Sequence, residues 1–278
     1  MITSESVNQA IDYILQHIEE ELSLEDVAEH CHFSKYYFCR LFKAQTGESV
    51  WSFIRRVRLE QSAFRLKVEK GRPITEIGAD YGYSPSNYSS AFRTRYHMTP
   101  VSFRKTSREK SMKHPFFHHE NWSAETFEEC GKKIVVKDVP DWRVIYERRF
   151  GSYESLSRQW NSFVEKYREY STAQTIFLER TYDDPAVTKA DNCLYDICMS
   201  VGEDCPLENL VTIQGGRCAV YRFKGHAKHI YAAYQTIFLV WLPRTGYEID
   251  TARSVFDIYH VADGDTLYME MDICVPVR

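Results

Sequence analysis

Two stretches hold the side chains best suited to chemistry. In "LEDVAEHCHFSKYYFCRLF", residues 24–42, two short amphipathic segments flank a break at Cys31-His32-Phe33, and the second is studded with Lys, Arg and Tyr. Such side chains touch phosphates and base edges. Near the other end, Leu267, Met269, Met271 and Ile273 alternate with Tyr268, Glu270, Asp272 and Cys274, the period of a strand with one apolar and one polar face. The apolar set is expected to meet helices and the polar set to line a binding cleft. A carboxylate walled by aromatic rings suits an organic cation, and Tyr146, Tyr221, Trp241 and Tyr259 are candidate walls. A solvated sheet face and ordinary core aromatics are the competing reading.

Other chemistries find little support. No Ser-His-Asp set, Cys-His pair, phosphate-binding glycine loop or zinc motif is visible, so no catalytic residue, metal or cofactor is expected. His114, His118 and His119 invite a metal, but no Cys or acid completes a tetrahedral set at ligand spacing. Cys193 and Cys198 fall on opposite faces of a strand. The eight cysteines, at irregular spacings in 278 residues, read as free thiols. The N-terminus lacks the basic and apolar regions of a signal peptide, and no apolar run approaches the ~18 residues that span a bilayer. A cytoplasmic protein with no membrane partner is expected.

The elements that must position these residues emerge from charge and repetition. The net charge of −4 hides a basic block: residues 31–113 carry 17 Lys+Arg against six acids, whereas residues 114–278 carry 18 against 25. A basic block in an acidic chain is an electrostatic footprint for a polyanion, or, on charge alone, a solvated basic face. Shifting the chain by 50 residues lays "SLEDVAEHCHFSKYYFCRLFKAQTGESVWSF" on "PITEIGADYGYSPSNYSSAFRTRYHMTPVSF". Each copy reads as a short helix, a tight turn at His32 or Gly82, and a helix capped by Ser34 or Ser84. This predicts a duplicated helix-turn-helix with second helices at 34–46 and 84–96. A periodic stretch from Val50 to about Lys70, ending at Gly71-Arg72-Pro73, joins them. Twenty helical residues span ~30 Å, close to the ~34 Å between major grooves on one side of a duplex. One chain could therefore place two helices in adjacent major grooves of double-stranded DNA.

With both units in register over about 100 residues, 7–105 resemble an AraC/XylS-type DNA-binding domain. The resemblance assigns base contacts to Lys35, Tyr36, Cys39 and Arg40 in the first reading helix and Ser86, Asn87, Ser89 and Ser90 in the second. Arg40 is the residue suited to a bidentate guanine contact. Arg93 and Arg95 are expected mainly to grip phosphate, and Phe38, Phe42, Tyr88 and Phe92 to be core. RNA polymerase is a partner implied by the same resemblance, with activation as the commoner mode.

Residues 107–130 lack a sustained period and read as a linker, leaving a DNA-binding domain at 1–106 and a second domain at 131–278. The latter repeats at an offset of 74: "RVIYERRFGSYESLSRQWNSFVEKY" falls on "RCAVYRFKGHAKHIYAAYQTIFLVW", pairing Gly151 with Gly225 and Trp160 with Tyr234. Two tandem strand-helix-strand-strand modules predict an α+β domain with an antiparallel sheet and a pseudo-twofold cleft, behind an all-α double helix-turn-helix. The motifs "RRFGSYESL", "YDDPAVTKADNCLYDICMSV", "WLPRTGYE" and "MEMDICVPV" resemble a GyrI-like effector-binding domain. The resemblance implies a bulky, often cationic or amphipathic, small-molecule effector and places Asp272, four residues before Pro276, at an acidic position of the last strand. The function expected is a one-component transcription regulator, probing as its alternative a sequestering protein or weak hydrolase of the GyrI-like class.

Overall fold

The computed structural model describes residues 4–112 and 125–278, which divide into compact units at 1–108 and 109–278. The first unit is helical: α1 (Glu5–Gln16), α2 (Leu24–His30), α3 (Lys35–Thr46), α4 (Val50–Val68), α5 (Ile74–Asp80), α6 (Pro85–Tyr96) and α7 (Pro100–Met112). The pairs α2/α5 and α3/α6 start and stop 50 residues apart, as the repeat requires. His32 (φ 58°) takes the left-handed conformation that Gly82 (φ 76°) takes in the second copy, a conformation that is costly for most side chains. Ser84 caps α6 through the Asn87 N–H; Ser34 holds the equivalent place but makes no side-chain cap bond. Phe38, Phe42, Tyr88 and Phe92 are buried as expected.

The linking helix α4 is clamped rather than free. Arg56 on α4 donates to Glu60 (2.8 Å), and Glu60 also takes the guanidinium of Arg95 from α6. Arg65 reaches Asp80 of α5 (2.6 Å), and Arg58 donates to the backbone carbonyl of Ile18 (2.9 Å). Buried carboxylates are costly unless paired, so the Glu60–Arg95 and Arg65–Asp80 pairs fix how the second reading unit sits on α4.

At Gly78, α5 passes close to the Tyr88 ring of α6. A Cβ there would stand 2.7 Å from Cδ1 of the buried Tyr88 ring. Gly78→Ala should therefore lower stability, because overpacking of ~1–3 kcal/mol exceeds the helix-propensity gain of at most ~1 kcal/mol. Urea denaturation reads this directly, and an unchanged or higher midpoint would refute the close packing.

The second unit holds α8 (Phe127–Gly131) and β1 (Ile134–Val139), then β2 (Trp142–Phe150), α9 (Leu156–Lys166), β3 (Phe177–Thr181) and β4 (Leu194–Ser200). It continues with β5 (Leu210–Ile213), β6 (Gly216–His226), α10 (Ile230–Thr236), β7 (Val255–Ala262) and β8 (Tyr268–Pro276). One eight-stranded antiparallel sheet results, in the order β1-β6-β8-β7-β3-β4-β2-β5. The two modules, β2-α9-β3-β4 and β6-α10-β7-β8, meet at the β3–β7 pair. Gly151 and Gly225 sit at matching strand-to-helix turns with positive φ. β1 and β5, outside the two predicted modules, each add to the far edge of the other module.

The sheet has two distinct faces. Phe163 of α9 and Tyr167 just after it pack on Ile145, Tyr195, Ile197 and Met199, and Tyr234 of α10 bonds Asp257 on the same face. The opposite face gathers residues of all eight strands into one cluster, from Val139 on β1 to Ile213 on β5. Only Pro140 and Asp141 separate β1 from β2, so the sheet must curl and this face becomes its interior.

The expected linker at 107–130 is partly helical, since α7 runs to Met112 and α8 begins at Phe127; His114, His118 and His119 lie outside the described residues. Among the described residues no cluster of His, Cys, Asp and Glu could hold a metal, and no helix is long and apolar enough to cross a membrane. All eight cysteines are free.

Candidate DNA interface and effector site

On α3, Lys35, Tyr36 and Arg40 are exposed and Cys39 is half-buried. Tyr36, at 86% exposure, is a large ring left in solvent, an unfavourable placement for a residue whose only task is packing. Lys35 forms an exposed ion pair with Glu25, weak enough to exchange for a phosphate. On α6, Ser86, Asn87, Ser89, Ser90 and Arg93 are exposed. Arg95 departs from expectation. Its guanidinium is turned onto the buried Glu60 carboxylate, because that acid needs a second cation, so Arg95 holds α6 to α4 instead of reaching for phosphate.

The seven residues expected to build an effector site do not come together. Tyr268, Glu270, Asp272 and Tyr146 lie on the face away from the helices, whereas Tyr221 and Tyr259 lie on the helix face. The alternation of 267–274 is as read, but the helices and the pseudo-twofold centre share the apolar side. Asp272 instead accepts from Arg222 (2.9 Å) and faces His260 (3.1 Å), while Glu270 pairs with Lys224 (2.8 Å). Tyr146 lies beneath the guanidinium groups of Arg148 and Arg180. Tyr221 donates to Glu125 (2.8 Å) beside α8, and Trp241 stacks on Tyr247 (5.8 Å). Tyr259 alone reaches the centre.

At that centre stand two acids the sequence reading passed over. Glu179 on β3 and Asp257 on β7 are directly opposite across the pair that joins the modules, with 3% and 2% exposure. The Tyr259 hydroxyl donates to Glu179 (3.1 Å) and the Tyr234 hydroxyl to Asp257 (2.7 Å). The buried Trp160 indole N–H has no formed hydrogen bond yet lies close enough to Glu179 to favour its charged form. Burial pushes the Glu179 carboxyl up to about 7; burial first, then the charge of Glu179, push Asp257 well above the ordinary range. No basic side chain pairs with either acid among the described residues. Half-buried Tyr153, Trp160, Phe177, Tyr234 and Tyr259 stand around them, with Trp160 edge-on to Tyr259 (5.5 Å) and Tyr153 stacked on Tyr195 (4.5 Å). Burying two carboxylates without a compensating cation is costly, which makes this pair a candidate site.

The signal was present in the repeat. Trp160 and Tyr234 are repeat partners, and each stands over the acid of its own module's first post-helix strand, "FLERT" or "VFDIYHV". An acid on the same strand face as an aromatic residue, Glu179 with Phe177 and Asp257 with Tyr259, was the cue.

The model of the GyrI-like small molecule binding domain matches residues 132–278, and a helix-turn-helix domain model matches residues 27–106. The chain is 36% identical over 110 residues to the regulatory protein PocR of Salmonella typhimurium, covering 39% of this chain and 35% of PocR. It is 35% identical over 92 residues to the transcriptional regulator Rob of the same organism, covering 33% and 32%. Thus it spans about a third of the length of either relative. With the multiple antibiotic resistance protein MarA of Escherichia coli the identity is 31% over 117 residues, 41% of this chain but 91% of MarA. With more than half its length in the first match and nearly all of MarA in the last, the chain belongs to the GyrI-like small-molecule-binding family and carries an AraC/XylS-type double helix-turn-helix in front of that domain.

Proposed function

We propose that the chain is a one-component transcription regulator in which α3 and α6 read double-stranded DNA and the helix face of the sheet receives a bulky organic effector, cationic or amphipathic. The observation that carries the reading is the joining, in one polypeptide, of two exposed reading helices on a clamped spacer with a buried acidic and aromatic centre. Lys35, Tyr36, Cys39, Arg40, Ser86, Asn87, Ser89, Ser90 and Arg93 form the DNA-facing surface in this reading. Glu179 and Asp257 with their aromatic surround take the effector role in place of Asp272. Activation through RNA polymerase is the mode we assign by family.

The test is DNA binding as a function of salt. A regulator of this kind should show log affinity falling steeply with log salt, since phosphate contacts release counterions; a sequestering protein or hydrolase should not. Arg40→Ala should cost ~1–3 kcal/mol on the specific site and much less on random DNA. Equal losses on both would reduce Arg40 to a phosphate contact, and salt-independent binding would remove the regulator reading altogether.

A further inference from the structure

Resting on the effector-site reading above, we infer that the effector's head group is a planar cation with N–H donors on two edges, an amidinium or guanidinium, that bridges Glu179 and Asp257. The two acids occupy opposed positions of adjacent antiparallel strands, where side chains stand ~4.5–5.5 Å apart at Cβ and like charges repel. Each carboxylate offers about four acceptor sites, and the fold supplies one hydroxyl to each, from Tyr259 and from Tyr234.

Among the described residues, nothing else in the surround offers a cation. The elements packed over the pair present Trp160 from α9, Tyr234 from α10 and Tyr153 from the turn before α9. The neighbouring strands present Tyr195 and Ile197 on one side and Met271 and Ile273 on the other. Arg148 and Arg180 lie on the opposite face of the sheet, committed to Asp196. No positive charge figures among the influences on either carboxyl. A single point charge without donors could neutralise the pair but would leave the acceptors unfilled. A forked N–H cation does both, because charge-assisted bidentate hydrogen bonds suit carboxylates. The rings of Trp160 and Tyr259 then flank the delocalised cation as aromatic walls. The Trp160 N–H, unpartnered in its buried position, can complete its bond to Glu179 once that acid is held charged.

The test is calorimetric titration of the full chain with three probes on one ring system: 2-naphthamidine, trimethyl(2-naphthyl)ammonium and neutral 2-naphthamide. The amidine is expected to bind tighter than the quaternary ammonium by on the order of tenfold, about what one added charge-assisted hydrogen bond supplies. The amide should bind weakest. Glu179→Gln and Asp257→Asn should each bring the amidine down to the level of the quaternary ammonium, while circular dichroism shows both variants folded. Equal affinity of amidine and quaternary ammonium in the wild type overturns the inference. If quaternary binding then weakens in Asp257→Asn, the effector-site reading survives that failure. An amidine preference undiminished in both variants overturns the inference too, since the head group would sit elsewhere. Absence of binding by all three probes removes the inference and the effector-site reading together.

Discussion

Asp196→Asn is expected to destabilise the C-terminal unit by about 3–5 kcal/mol at pH 7, the usual cost of removing one member of a buried ion pair. Asp196 lies on β4, on the interior face of the curled sheet, and is fully buried together with Arg148. Its oxygens accept Nε of Arg148 (2.9 Å), Nε of Arg180 (2.9 Å) and the Tyr182 hydroxyl (2.7 Å). One acid thus separates two guanidinium groups in an interior otherwise built of aliphatic side chains, cysteines, Phe256 and Tyr146. Asparagine keeps the shape but leaves the arginines facing each other without the charge between them. Burial by itself would raise the Asp196 carboxyl, but the adjacent guanidinium groups outweigh it and hold it well below the usual carboxylate range.

The sign of the pH dependence follows from that depression. A lowered folded pKa gives stability that is present above the unfolded value of ~3.9 and lost as pH falls through it toward the folded value. The wild type should therefore lose stability below about pH 4, and the variant should lack that component. Urea denaturation at pH 7 and pH 3 measures both. A variant within ~1 kcal/mol of wild type at pH 7 would mean that the arginines' remaining partners carry the cluster without Asp196.

Much of the architecture is legible in two shifts of the sequence against itself. The 50-residue offset returns the second helix of each helix-turn-helix to within a residue of its observed bounds, because each copy repeats the same turn and the same buried aromatic pair, Phe38/Phe42 and Tyr88/Phe92. The 74-residue offset returns the two modules. The exchange of β1 and β5 between module edges is not legible, since a strand's pattern says which face is buried and nothing about its neighbour. The same limit applies to the acids: Asp272 and the buried Glu179 and Asp257 lie on opposite faces of the sheet, and the pattern does not tell which face meets the helices. Period-2 alternation put Asp272 opposite Ile273 correctly, but both faces of this sheet are covered, one by helices and one by the curl. Polar side chains were then no guide to the cleft. Arg95 fails for a related reason: an exposed-looking helix position is captured by Glu60, 35 residues away, and only the packing of α6 on α4 reveals it.

Glu179→Gln should act in the opposite sense to Asp196→Asn, raising stability at pH 8 and leaving it unchanged near pH 4. Burial lifts the Glu179 carboxyl from 4.5 to about 7, against the smaller pull of the Tyr259 hydroxyl and the Trp160 indole. A raised folded pKa on an acid means that the folded state holds its proton longer than the unfolded chain does. Stability is then full below about 4.5 and declines as pH rises toward 7. Above 7 the folded chain carries a charge that the unfolded chain would keep in water, a penalty of roughly 3 kcal/mol for a shift of this size. Glutamine removes that charge, and it also removes the repulsion that helps hold Asp257 protonated. Paired urea titrations of wild type and variant at pH 4, 6 and 8 should show the two curves coincide at pH 4 and diverge progressively. Curves that stay parallel across the range would mean that the pair is hydrated or compensated in solution, and its burial would carry no penalty. Should the divergence appear, its size bounds what an N–H cation could recover on binding, because relief of that same charge burial is part of the free energy such a ligand would draw on. An effector should accordingly flatten the wild-type curve at pH 8 while leaving the Glu179→Gln curve nearly where it was.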